Sequence, residues 1–156
     1  MTIEAITGQI AAILAAADGE AVVHQYQRLA TVKNDFVDLF KGSDDKIHAW
    51  TITRIKTASQ KETSLTEFAH VFAVRGYYGL KDADATELVY QEIIEDVVAA
   101  FDNEDAETLN DSCLTINPDW GPMAGAIGLQ VDVLEARMFF GVLCHFADCR
   151  LGVIER

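Results

Sequence analysis

Thr66-Glu67-Phe68-Ala69-His70-Val71-Phe72-Ala73-Val74-Arg75-Gly76-Tyr77-Tyr78-Gly79-Leu80 is the stretch on which the fold turns, and a helix-patterned segment follows it as far as Phe101. Its even positions (Phe68, His70, Phe72, Val74) and its odd positions (Ala69, Val71, Ala73) are both mostly apolar. Side chains alternate between the two faces of a strand, so residues 66–78 read as a central strand that wants cover on each side. Gly76 and Gly79 punctuate its end. Asp84 then stands as an N-cap with Glu87 three residues on, the spacing at which two side chains satisfy each other's backbone N–H groups. Tyr90, Ile93, Ile94, Val97, Val98 and Phe101 recur at the intervals of one helical face, with Gln91, Glu92, Glu95 and Asp96 on the other. No catalytic signature sits on this strand–turn–helix unit, which points away from an enzyme.

Outward from it, Ile3, Ile6, Ile10, Ile13, Leu14 and Ala17 trace a second helical stripe, with Thr2 as N-cap and Asp18-Gly19 as its end. Gly8, Ala11, Ala12, Ala15 and Ala16 would let another element approach closely. Residues 21–29 read as a strand through Val22, Val23, Tyr26 and Leu29. Residues 34–41 hold Phe36, Val37, Leu39 and Phe40, a short helix or turn ended by Gly42. Residues 46–56 alternate as a further strand, and the polar stretch 57–64 is expected to be a mobile loop or an extended arm. After the helix come an acidic connector (102–111), a short strand (112–117), a loop (118–125), an alternating strand (127–133), and a last strand (137–147) apolar on both parities. The order predicts a single domain over 1–156 of α+β class: a mixed, mainly antiparallel β-sheet with two main helices packed on it. Two strands wanting cover on both faces, and only two sizeable helices, make a homo-oligomer the economical expectation.

The charge is −13 and uneven. Nine of the twelve basic residues lie between Arg28 and Lys81, whereas residues 82–136 contain fourteen Asp or Glu and no Lys or Arg. Such a chain does not bind nucleic acid phosphates over a basic face. An acidic run is ordinarily a solvated surface; the sharper reading is a surface that repels phosphates at close range. No apolar run is long enough to span a membrane, and no basic stretch ahead of an apolar block marks a signal peptide. Cys113, Cys144 and Cys149 are odd in number and follow no frame, which fits free thiols better than a disulfide scaffold. Cys144-His145 and Cys149, with His70 and His48 elsewhere, lack the paired spacing of a zinc knuckle, and Cys144 and His145 would face opposite ways on a strand. Residues 102–107 lack the glycine and the closing Glu of a calcium loop. No cofactor or metal is expected, and no catalytic residue.

Tyr26-Gln27-Arg28, Trp50-Thr51-Ile52-Thr53-Arg54 and Phe72-Ala73-Val74-Arg75-Gly76-Tyr77-Tyr78, taken with the N-terminal helix, the acidic helix and the closing strand pair, form a pattern that covers most of the chain. It resembles the tail-terminator and related head–tail neck proteins of long-tailed (lambda-like) phages and prophages. The resemblance implies a ring, a homohexamer, that caps the tail tube, ends its polymerisation and docks on the head–tail connector. The partners implied are other copies of the chain, the tail tube protein and the connector, with DNA sliding through the lumen unbound. The implied place is the virion tail or neck, after assembly in the host cytoplasm. Glu92, Glu95, Asp96, Asp102, Glu104, Asp105 and Glu107 are then candidates to face the lumen. Arg54, Lys56 and Lys61 are candidates to dock an acidic neighbour, and Trp50, Tyr77, Tyr78 and Phe139 to form the subunit interface. The rivals are another neck or tail-completion protein and, in a different class, a small α+β enzyme or ligand-binding domain with a pocket near His70, Tyr78 and His145.

Overall fold

In the computed structural model the described residues are 2–62, 64–116 and 128–155, apart from the side chains of Gln60, Glu62 and Glu104. The loop expected at 118–125, the strand start at Ile127 and Asn117 lie outside them. The chain runs α1 (Ile3–Ala17), β1 (Val22–His24), α2 (Lys33–Phe40), β2 (His48–Glu62), β3 (Leu65–Gly79), a 3-10 turn (Asp82–Asp84), α3 (Thr86–Ala100), α4 (Glu104–Glu107), β4 (Leu129–Phe139) and β5 (Val142–Glu155). Among the described residues five strands form one sheet in the order β1-β2-β3-β5-β4. Only the β1–β2 pairing is parallel. The fold is α+β with a mixed, mainly antiparallel sheet, as the patterning predicts.

The quoted stretch is the central strand. Its even face, with Phe72, Val74 and Tyr78, packs with Trp50, Ile52, Leu151 and Val153 under Ile6, Ile10 and Leu14 of α1 and Tyr90, Ile94 and Val97 of α3. Ile6, Ile10 and Leu14 are fully buried. Each contributes roughly 1.5–3 kcal/mol, which outweighs the roughly 1 kcal/mol that Gly8 costs in mid-helix. Among the described residues nothing lies within 4 Å of where a Gly8 Cβ would stand, so there that glycine does not serve a close approach, contrary to expectation. Thr2 caps α1 by accepting the Ala5 N–H.

On the odd face α2 seats Phe36 and Phe40 against Ala49 and Cys144, with Tyr77 and Phe139 packed alongside. Farther along, Ala73 lies in register between Thr53 and Arg150, and Arg75 and Arg150 both pair with Asp148. Val71 and Ala73 are buried there. Both faces of β3 are thus sheltered over residues 69–74 within one chain, so this strand does not argue for a second copy, whereas Met138, Phe140 and Leu143 of the 137–147 stretch are exposed.

Four expectations need correction, and one open alternative is decided. First, the strand at 21–29 shrinks to Val22–His24, because His24 Nε2 turns to the Leu39 carbonyl (2.6 Å) and leaves Tyr26 and Leu29 exposed. Second, the alternative open at 57–62 is decided for the extended arm: β2 and β3 stay paired to Glu62↔Leu65, with a bulge at Ile55. Backbone pairing holds this arm, so it needs no apolar face. Third, residues 112–116 make one bridge, Thr115↔Ile154, and no strand. Fourth, residues 137–147 are two strand ends read as one. Phe140 (φ 51°) and Gly141 (φ 80°) are consecutive left-handed residues, the two-residue hairpin turn that matches strand twist. Fifth, Asp84 does not cap α3. It lies in the 3-10 turn, paired with Lys81, and left-handed Ala85 precedes the helix. Thr86 holds that start instead, accepting the Lys81 N–H (2.9 Å) while its hydroxyl meets His145 Nε2 (2.8 Å). The partner that decides this boundary is a residue on β5.

Candidate functional site: an acidic helix face, a basic arm and two buried histidines

Because Tyr90, Ile94, Val97 and Phe101 take the inner side of α3, the spacing of the helix puts Glu92, Glu95 and Asp96 in solvent. The acidic surface continues past the helix. Asn103 caps α4 by accepting the Ala106 N–H (2.8 Å), burial of Ala106 and Leu109 fixes which side faces inward, and Asp102, Asp105 and Glu107 are left exposed. Glu104 starts α4, but its side chain lies outside the described ones. No basic residue occupies the last turn of α3. Of these carboxylates only Asp102 lies just past the C-terminal end of α3, where an exposed negative charge opposes the dipole by about 0.3–1 kcal/mol.

Arg54, Lys56 and Lys61 are all exposed along β2 of the long hairpin. Basic and acidic candidates therefore sit on different elements, as the segregation of charge along the chain predicts. Two interface candidates are corrected by burial. Trp50 is 1% exposed with its indole N–H given to Asp18 (2.9 Å), and Tyr78 stacks on Tyr90 inside the core. Neither presents a side chain to another molecule. Tyr77 and Phe139 are half-buried in an aromatic group with Phe36 and Phe146. Exposed apolar side chains gather at the two hairpins, Ile55, Leu65 and Phe68 on one and Met138, Phe140 and Leu143 on the other, and Leu88 and Val89 are exposed on α3. Leu143 was hidden among apolar neighbours and Leu65 stood alone in a polar stretch; their places beside the two turns leave both beyond the reach of the helices.

A cavity of about 590 Å³ opens beside α3, lined by Leu80, Thr86, Tyr90, Leu134, Ala136 and His145, with Asp82 and Glu87 also in its wall. His145 stacks on Tyr90 (5.7 Å between centroids) and near Tyr78 (6.3 Å). Burial pushes its pKa down, opposed by the Glu87 charge, so the ring is held neutral. The structure brings Tyr78 and His145 together but not His70. That residue lies farther along β3, with Nδ1 at the Thr57 hydroxyl (2.9 Å) and Nε2 3.3 Å from Glu155. Thr86 and His145 form a hydroxyl–imidazole pair, and its evident work is to latch α3 to β5.

The three thiols are buried and apart. Burial raises the pKa of Cys113 and Cys149 to about 12 and that of Cys144 to about 11. A thiolate is the reactive form. The native protein should therefore react negligibly with a disulfide reagent at pH 8, and all three thiols should react once it is unfolded. Rapid native labelling of even one would contradict the burial.

His48, weighed in the sequence only alongside Cys144, His145, Cys149 and His70, has other partners, which follow no motif spacing. It is 3% exposed, with Nε2 2.7 Å from Asp18 Oδ2 and Nδ1 2.8 Å from Asp44 Oδ2. Burial pushes its pKa down, but hydrogen bonds to both carboxylates, together with their charges, outweigh this and leave it raised. Asp18 is the C-cap residue of α1 and also accepts the Trp50 indole N–H. Three elements meet on this one ring.

Among the described residues no helix is long and apolar enough to cross a membrane. Compared with protein-family models and with curated proteins, the chain matches none.

Proposed function

We propose that the chain is a structural assembly protein of the head–tail neck of a long-tailed phage or prophage, a tail terminator. It closes into a ring with copies of itself, caps the tail tube, ends tube growth and docks the tail on the connector without chemistry. The observation that carries this reading is the exposed run of carboxylates through Glu92, Glu95, Asp96, Asp102, Asp105 and Glu107, in a stretch with no Lys or Arg from residue 82 to 136. A DNA channel benefits from such a lining, since like charge repels phosphates within about 8–10 Å before salt screens it. The arm bearing Arg54, Lys56 and Lys61, with its exposed Leu65 and Phe68, suits an acidic neighbour in the tube or connector. A ring of identical subunits uses different patches on its two sides, and the segregated charge supplies them.

Native mass measurement tests the ring. The expected species is six times the 17.2 kDa chain, and a chain that stays monomeric at every concentration defeats the proposal. Lysine at Glu92, Glu95 and Asp96 together should slow DNA ejection while leaving the ring mass unchanged, and unaltered ejection would remove the lumen assignment. A second reading rests on the cavity at His145: a small ligand-binding domain. It gains only if the protein is a monomer whose melting temperature rises with a small molecule and if His145→Gln abolishes that rise.

A further inference from the structure

Where the end of α1 meets the turn before β2, three carboxylates surround one imidazole. Asp18 is buried and accepts two hydrogen bonds, from Trp50 Nε1 (2.9 Å) and His48 Nε2 (2.7 Å). Nε2 therefore carries a hydrogen, and Nδ1 is the nitrogen whose electron pair an ion would take, displacing the hydrogen that Nδ1 gives to Asp44. That nitrogen points at Asp44 Oδ2, 2.8 Å away. A carboxylate oxygen of Glu20 completes the group, and the ligating atoms of Glu20, Asp44 and His48 all lie within 4.8 Å of one another. With Asp18, three negative groups face one ring; Lys41 is paired with Asp45 (2.8 Å), and Lys46 is exposed.

The two turns are fastened by their backbones. Ser43 N donates to the Glu20 carbonyl (2.9 Å), and Gly42 N donates to the Lys46 carbonyl (2.9 Å). A Cβ at Gly42 would come closer than 3.0 Å to the Glu20 carbonyl oxygen, so glycine is what lets the turns touch. Glu20 and Asp44 are thus held side by side by more than their side chains. Asp44 is 13% exposed at its side chain and Glu20 is exposed, which opens the site to solvent on one side with the imidazole at its back.

We infer that Glu20, Asp44 and His48 bind a divalent transition-metal ion, with Asp18 orienting the ligand imidazole from behind. A carboxylate on the far nitrogen of a ligating histidine is the usual outer support of such sites. One imidazole with two carboxylates, completed by water, suits the Zn²⁺ or Mn²⁺ class. Ca²⁺ and Mg²⁺ prefer shells made of oxygen alone. The ion would clasp the turn after α1 to the turn before β2. This is separate from the ring proposal, since none of its residues belongs to the acidic face or the basic arm.

The test uses tag-free, chelator-washed full chain, titrated calorimetrically with ZnCl₂, MnCl₂ and MgCl₂ and melted with and without each. One Zn²⁺ or Mn²⁺ per chain and a raised melting temperature are expected, with no response to Mg²⁺ at the same concentration. Glu20→Gln and Asp44→Asn, whose side chains reach solvent and whose folding is checked by circular dichroism, should each weaken binding by about tenfold or more. Co²⁺ in place of Zn²⁺ should give a spectrum without a thiolate charge-transfer band. Absence of binding, binding indifferent to both substitutions, or a thiolate band would each overturn the site.

Discussion

Replacing Asp18 with alanine is expected to lower the unfolding free energy by about 3–5 kcal/mol, the range for removing one partner of a buried ion pair. The carboxylate is spent twice, on the indole of Trp50 and on Nε2 of His48, and both partners are nearly inaccessible to water. Without it, a buried indole N–H loses its acceptor and His48 keeps only Asp44. Domain stabilities run about 5–15 kcal/mol, so the variant gives up a large share. Urea unfolding in the presence of chelator measures the loss without a contribution from bound metal. The Asp18→Ala, Trp50→Phe double variant should lose less than the sum of the two singles, because they share one bond. A loss below about 1 kcal/mol, the scale of an ordinary exposed pair, would show that water reaches this cluster.

Gly76→Ala should cost about 1–3 kcal/mol, and Gly76→Val more, through overpacking. A Cβ at Gly76 would fall closer than 3.0 Å to the Tyr90 hydroxyl and to two ring carbons of Trp50. Trp50 is anchored by Asp18, and Tyr90 is stacked between Tyr78 and His145, so neither ring has room to give. The Tyr90 hydroxyl is itself buried without a hydrogen-bond partner among the described residues. Tyr90→Phe alone should therefore be neutral or stabilising, since it removes a polar group that burial leaves unpaid. In the Gly76→Ala background it should restore part of the loss. Additive effects of the two substitutions would mean that the strain is borne by Trp50 alone.

This glycine shows how far patterning reaches. Gly76 was legible as punctuation near the end of a strand, and it does lie three residues before the end of β3. That it makes room for an indole and a phenol arriving from β2 and α3 was not, because close approach is a property of three elements at once. The arm at 57–62 is a similar case. Its polar residues fit either a loop or paired strands, and the choice depends on whether residues 65–70 lie alongside. The β4–β5 turn was hidden for the opposite reason. Apolar residues on both parities continue across Phe140 and Gly141, and one glycine was too weak a break to notice. The acidic face and basic arm were legible as blocks of charge, and their exposure follows from the apolar positions between them. The His48 cluster had little local signal: Asp44 is four residues from His48, but Asp18, which orients the ring, is 30 away.

Taken alone, the order of residues determined α1, α3, the central strand β3, the class of fold and the separation of charge. Each depends on neighbours within a few positions, where helix or strand period is written directly in the side chains. The tertiary structure decided the start of α3, the extent of the hairpins, the fate of Trp50 and Tyr78 as core, and the carboxylates around His48. These depend on hydrogen bonds and packing between residues far apart in the chain. Such pairs meet only when the sheet has assembled, and the energy of burying a polar group makes each meeting selective.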